Sequence, residues 1–165
     1  MIKSKLIKCL GFYFAFFFMD CQTLEGNLNL VEKDLFSYGI AITIEVPDSA
    51  DINMMDWGLQ KDITIRDESS WYNLQIFSSR ALTHNLQKVK DNQLQVVQEG
   101  PYFSKIISED PDGFIFETLV DSMSNYDFRH FKIQGDNEYL FQAGLLGKYS
   151  LNQVKQIYEI AQQAR

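Results

Sequence analysis

The sequence predicts an α+β domain, a three-layer α/β/α sandwich around a mainly antiparallel central sheet of about seven strands, with one mid-chain and one C-terminal helix. Three observations predict it. First, four consecutive strands can be read at Tyr102–Glu109, Phe114–Asp121, Asp127–Gln134 and Glu138–Leu145. Turns at Asp110-Pro111-Asp112-Gly113, around Ser122–Asn125 and at Gly135-Asp136-Asn137 separate them. Second, two of these strands are apolar on both faces: Phe114-Ile115-Phe116 with Leu119-Val120, and Tyr139-Leu140-Phe141 with Leu145-Leu146. A sheet wet on one face alternates, so these strands are expected to be covered on both sides. Third, two amphipathic helices, Arg80–Gln98 and Ser150–Gln162, supply one cover per face. A two-layer fold with both helices on one face is the alternative.

In chain order, residues 1–20 read as a signal peptide. Lys3, Lys5 and Lys8 precede an apolar run from Cys9 to Met19 that is too short to span a bilayer, for which about 20 residues are needed. Cys21 follows directly, as in bacterial lipoprotein signals, where the cysteine is diacylated, becomes residue one on cleavage and is then N-acylated. Asp20 and Phe18 depart from the small residue and leucine of that pattern. The expectation is a protein of the bacterial cell envelope, lipid-anchored through Cys21, with residues 21–35 as attachment site and tether and 36–165 as one globular domain.

Gly39–Val46 alternates cleanly, with Ile40, Ile42, Ile44 and Val46 pointing one way, and Pro47 ends the strand. Leu30–Phe36 is compatible with one or two helical turns or with loose packing. Asp48–Gln60 is turn-rich and reads as a loop. Lys61–Arg66 and Trp71–Phe77 read as a hairpin across Asp67–Ser70, with Ile63, Ile65, Tyr72, Leu74 and Ile76 inward. Ser78 or Ser79 is the expected N-cap of the helix that Gly100-Pro101 stops. Asp127–Ile133 mixes Phe128, Phe131 and Ile133 with Arg129, His130 and Lys132, as a strand with one partly exposed face would. At the C-terminus, Ser150 and Gln153 form a capping box, Tyr149 and Val154 a hydrophobic staple, and Leu151, Val154, Ile157, Tyr158 and Ala161 one apolar stripe.

Charge bounds the partners. With 22 acidic against 15 basic residues the net charge is −7, and the leader holds three of the lysines, so nucleic acid is not expected as a partner. Cys9 lies in the leader, so Cys21 is the one thiol of the processed chain, and no intramolecular disulfide or closed zinc shell can form.

The order of elements resembles the superfamily of PsbP-like, Mog-like and DcrB-like proteins over roughly Phe36 to Ala164. The resemblance rests on Tyr38-Gly39-Ile40-Ala41-Ile42 running into Val46-Pro47, on Lys61-Asp62-Ile63-Thr64-Ile65, on the mid-chain helix and meander, and on a closing helix introduced by Tyr149-Ser150. It implies an α/β/α sandwich serving as a non-enzymatic binding or assembly module, and it transfers no site residue.

Motifs for chemistry are lacking: no nucleotide-binding glycine pattern, no Gly-x-Ser-x-Gly and no His-Glu-x-x-His. A small hydrolase-type enzyme would have to use His84 or His130 with acidic residues, and a deep polar cleft holding either histidine beside a carboxylate would favour it. A carrier of a hydrophobic ligand is a further alternative. Glu109-Asp110-Pro111-Asp112-Gly113 fits a tight hairpin better than a calcium loop, and Asp48, Asp51 and Asp56 fit a solvated loop, so no metal or cofactor is expected. Met54, Met55, Trp57 and Trp71 are the candidate contact surface for an unidentified protein or small-molecule partner, with the membrane engaged through the anchor.

Overall fold

A computed structural model describes residues 28–145 and 147–165, so the leader, Cys21 and Leu146 lie outside the described residues. The chain forms a seven-stranded antiparallel sheet, a two-stranded sheet and two helices. The strands are β1 (Leu30–Asp34), β2 (Thr43–Pro47), β3 (Asp51–Asp56), β4 (Gln60–Arg66), β5 (Asn73–Arg80), β6 (Phe103–Asp110), β7 (Gly113–Val120), β8 (Met123–Gln134) and β9 (Asn137–Ala143). The helices are α1 (Leu86–Gln98) and α2 (Leu151–Gln162), and Phe36–Tyr38 makes a short 3₁₀ turn.

The large sheet runs β3-β4-β5-β9-β8-β7-β6, with β1 and β2 paired separately. The expected meander is present, and its last strand, β9, sits at the centre of the large sheet by pairing with β5 as well as β8. The doubly apolar strands divide their buried side chains as alternation requires, but the expected cover does not extend to their ends: Leu119 and Val120 beside the β7–β8 turn and Leu145 past the close of β9 are exposed. Phe114 and Phe116 of β7 cluster with Phe131, Val89 and Val97 of α1. Ile115 joins Phe128 and Phe141 in a second cluster, with Val154 and Ile157 of α2 and Ile42 to Val46 around β2. The sheet is therefore apolar on both faces.

Local chemistry explains α2. Ser150 Oγ accepts from Gln153 N, and Gln153 Oε1 accepts from Ser150 N, which satisfies two otherwise orphaned amides. Both staple residues, Tyr149 and Val154, are buried. At the far end the last residue joins the small sheet, as Arg165 and Thr43 exchange two backbone hydrogen bonds of 2.7 and 3.0 Å.

Four further expectations need correction. Leu30–Asp34, assigned to the tether, is a strand whose register with β2 runs from Leu30↔Pro47 to Asp34↔Thr43. Asp48–Gln60 is not a loop throughout, because Asp51–Asp56 is an edge strand on β4. Its side chains are mostly exposed, so no apolar alternation announced it. The mid-chain helix starts at Leu86 rather than Arg80: Ser78, Ser79 and Arg80 extend β5 against Tyr139, Glu138 and Asn137. Asn85 is its N-cap, accepting from Lys88 N, and Leu82, inside the expected helix, lies before it and is 98% exposed. Finally, β8 is an interior strand with His130 and Phe131 both buried. Its half-buried cations are employed, Arg129 over the Phe116 ring and Lys132 on the Ala164 carbonyl.

Candidate functional site

The strand registers give the sheet two ends. At one end lie Asp56–Lys61, the close of β5 at Arg80, the start of β9 at Asn137 and the 3₁₀ turn. At the other lie the start of β1, the Asp67–Ser70 turn, the β7–β8 turn and the Gly144 segment. Each end carries a cleft.

The first end holds a cleft of about 560 Å³ lined by Phe36, Leu59, Lys61, Ser79, Arg80 and Asn137, among others. Phe36 and Leu59 are 73% and 93% exposed, so two large apolar groups stand at its rim. Lys61 reaches in because Gly39 lets it. Its Nζ donates to the Gly39 carbonyl at 2.9 Å, and a Cβ on Gly39 would lie 2.2 Å from that nitrogen. Gly39 also has φ +78, a left-handed backbone that favours glycine. Neither Lys61 nor Arg80 forms an ion pair among the described residues. Acidic groups are close in the chain: Asp56 pairs with Lys61 in register, and the Asp136 carbonyl accepts from Ala81 N.

The second cleft, of about 590 Å³, is lined by Leu28, Asn29, Asp48, Asp67, Ser70 and Trp71, among others. Burial pushes the Asp67 carboxyl up, but hydrogen bonds from Ser69 and Ser70 outweigh it and hold the group below its ordinary value.

The candidate contact residues are only partly gathered. Met54 and Met55 sit on successive positions of β3, and so on opposite faces of the sheet edge. Trp57, 66% exposed, lies in the turn that also supplies Leu59 to the first cleft. Trp71 is at the opposite end, in the turn before β5 rather than on that strand, half-buried against Tyr72. The four residues do not form one surface. Cys21 lies outside the described residues. No group of three or more acidic, histidine or cysteine residues is placed to hold a metal among the described residues.

The two histidines are also apart in role. His84 is exposed in the segment before α1, with Nε2 3.2 Å from the Gly135 carbonyl oxygen. His130 is buried, its ring 5.4 Å from that of Phe141 and 6.0 Å from that of Tyr158. Its Nδ1 is 3.8 Å from Asp112 Oδ1, too long for a hydrogen bond. Nearby, Tyr158 donates to Asp110 Oδ2 at 2.9 Å, while Lys90 Nζ donates to Glu109 Oε1 and to the Asp110 carbonyl. This cluster, which spacing alone did not reveal, ties β6, β8 and both helices together. His130 lines neither cleft.

Burial pulls the His130 imidazole below its ordinary value, against the opposing pull of Asp112. The folded state thus favours the neutral ring. The stability this contributes is present above the unfolded value of about 6.5 and is lost as pH falls through the lower folded value. Between about pH 7.5 and about pH 5, the melting temperature of the native protein is expected to fall further than that of His130→Gln. Parallel falls would show that the buried neutral ring is not the source.

A second buried polar group lies on β4, β5 and β9. Gln142 donates to Gln75 Oε1 at 3.0 Å, and Gln75 Nε2 donates to both Asp62 oxygens at 2.9 and 3.0 Å. The chain of bonds runs along the strand order and is fixed by it, so it reads as a structural network. Comparison of the chain with family models, with curated proteins and with solved structures returned no match.

Proposed function

We propose that this chain is a non-enzymatic bacterial envelope lipoprotein, held at a membrane by an acylated Cys21, whose single PsbP-like domain binds or assembles with a partner. The layers we infer are α1 on one face of the large sheet, and α2 with the β1–β2 ribbon on the other. Support comes from the separation of the two apolar clusters, one containing α1 residues and the other those of α2 and β2. The element order that suggested the PsbP-like resemblance supports the same reading. No helix among the described residues is long and apolar enough to cross a membrane.

The observation that carries the binding reading is the cleft of about 560 Å³ at the end away from Leu28. Its exposed Phe36 and Leu59 beside Lys61 and Arg80 suit a partner that pairs an apolar group with an anionic one. His130, wedged between Phe141 and Tyr158, supports a packing role over catalysis. The test is a photo-crosslinking amino acid at Leu59 in the membrane-tethered protein. A discrete adduct is expected there, diminished at least several-fold by Arg80→Glu. Equal adduct yields with and without Arg80→Glu, or none from Leu59, would remove the cleft from the account.

A further inference from the structure

The first described residue, Leu28, and the β7–β8 turn occupy the same end of the molecule. Asp48 N donates to the Asn29 carbonyl, and the cleft holding Leu28 and Asn29 also holds Asp67 and Trp71 of the β4–β5 turn. Leu74 at the start of β5 pairs with Ala143 at the close of β9, and β9 runs antiparallel to β8. The start of β8, Met123, therefore points the same way as Leu28. A Cys21 anchor would be about seven residues away from Leu28, a stretch that spans at most roughly 25 Å. That is no more than about the length of one seven- or eight-residue strand of this sheet. Whatever course that stretch takes, this end of the domain stays within reach of the surface that holds the anchor.

The same end carries a group of exposed large apolar side chains. Leu119 and Val120 are 43% and 41% exposed, Met123 53%, Tyr102 57% and Leu145 74%. Leu119, Val120 and Met123 flank a two-residue turn in which Asp121 and Ser122 both have positive φ, 50 and 65. Tyr102 lies alongside, its carbonyl accepting from Leu119 N at 2.8 Å. Apolar groups of this size gathered at a hairpin tip have no role in either core cluster.

We propose that the β7–β8 tip, with Leu119, Val120, Met123 and Tyr102, seats in the interfacial layer of the lipid bilayer that carries the anchor, and so fixes the orientation of the domain. This rests on the reading of Cys21 as lipidated. An amphipathic tyrosine and short aliphatic groups suit the boundary between headgroups and acyl chains. The anchor and the shallow apolar contact reinforce each other, because the tether raises the effective concentration of the tip at the surface. Charge does not drive the contact: Asp121 and Glu99 stand near the tip with Lys105 and Lys148, and Asp48, Asp67 and Glu68 share this end of the sheet, so added salt is not expected to weaken seating. The orientation leaves Phe36, Leu59, Lys61 and Arg80 facing away from the membrane.

The test uses the full chain, matured in cells and reconstituted into vesicles of phosphatidylethanolamine and phosphatidylglycerol. Acylation consumes Cys21, and cleavage removes Cys9, so a cysteine introduced by Met123→Cys or by Leu59→Cys is the one thiol that takes a fluorescent label. Leu145→Cys provides a second position at the same end should Met123→Cys not fold. Brominated acyl chains are expected to quench the label at 123 or 145 at least three-fold more than at 59, in low and high salt alike. Equal quenching at the two ends overturns the proposal, as does a label at 123 shielded from water yet untouched by bromolipid, the signature of a second copy or a protein partner. Labelling of the unsubstituted chain at Cys21 would mark failure of the lipoprotein reading itself.

Discussion

Replacing Gly113 by valine is expected to destabilise the domain by about 2–4 kcal/mol. Gly113 opens β7, paired with Asp110 across the β6–β7 turn and with His130 of β8. A Cβ there would lie 2.5 Å from the Arg129 carbonyl oxygen and 2.6 Å from the Tyr158 hydroxyl. The carbonyl belongs to the β8 backbone and cannot withdraw without disturbing the β7–β8 ladder. The hydroxyl is held by its bond to Asp110 Oδ2. Overpacking of this kind costs about 1–3 kcal/mol, and loss of the tyrosine bond about 1 more. Chemical denaturation measures it. Tyr158→Phe in the Gly113→Ala background should recover part of the loss by removing the hydroxyl, whereas the backbone contact should remain.

That role was only half legible in the sequence. Gly113 reads as a turn glycine chosen for its backbone freedom, yet its φ is not positive; its lack of a side chain is what matters, because α2 comes within contact through Tyr158. The partner sits 45 residues further along the chain, and no local pattern encodes such a meeting. By contrast, α2 itself was legible to its cap, since Ser150 and Gln153 satisfy backbone groups within one turn. The meander was legible because its turns and its doubly apolar strands are local features. Strand β3 was not. At a sheet edge only Ile52 of its six residues packs against the core, so alternation had nothing to write. The extension of β5 through Ser78–Arg80 was hidden for a related reason: it rests on backbone pairing to Asn137–Tyr139, while serines invite an N-cap reading.

The candidate contact surface shows the same limit in three dimensions. Composition picks out Met54, Met55, Trp57 and Trp71, but only the fold separates Trp71 from Trp57 to opposite ends of the sheet. It also adds what composition passed over, Phe36 and Leu59 at one end, and Leu119, Val120 and Met123 at the other. Solitary exposed apolar residues are common on protein surfaces; their grouping at two ends is a property of the strand registers.

The second large effect concerns Cys21. In a lipoprotein, acylation precedes cleavage, so Cys21→Ser is expected to abolish incorporation of labelled palmitate and to leave a precursor that keeps Met1–Asp20. Each buried methylene contributes about 0.8 kcal/mol, so stable anchoring needs more than one chain, which a diacylated and N-acylated cysteine supplies. The substitution removes all of that at one atom. Asp20 stands just before Cys21, where a small residue is normal in such leaders. Asp20→Ala should raise the yield of mature protein without changing where the chain begins.

The proposed orientation of the domain, with its cleft outward and its hairpin seated, rests on the proposed acylation of Cys21. The intact mass of the protein extracted from membranes tests that proposal most directly. The account predicts a chain beginning at Cys21 and carrying a diacylglyceryl group with a further N-acyl chain. A chain that begins elsewhere, or one that begins at Cys21 with its thiol unmodified, would contradict it.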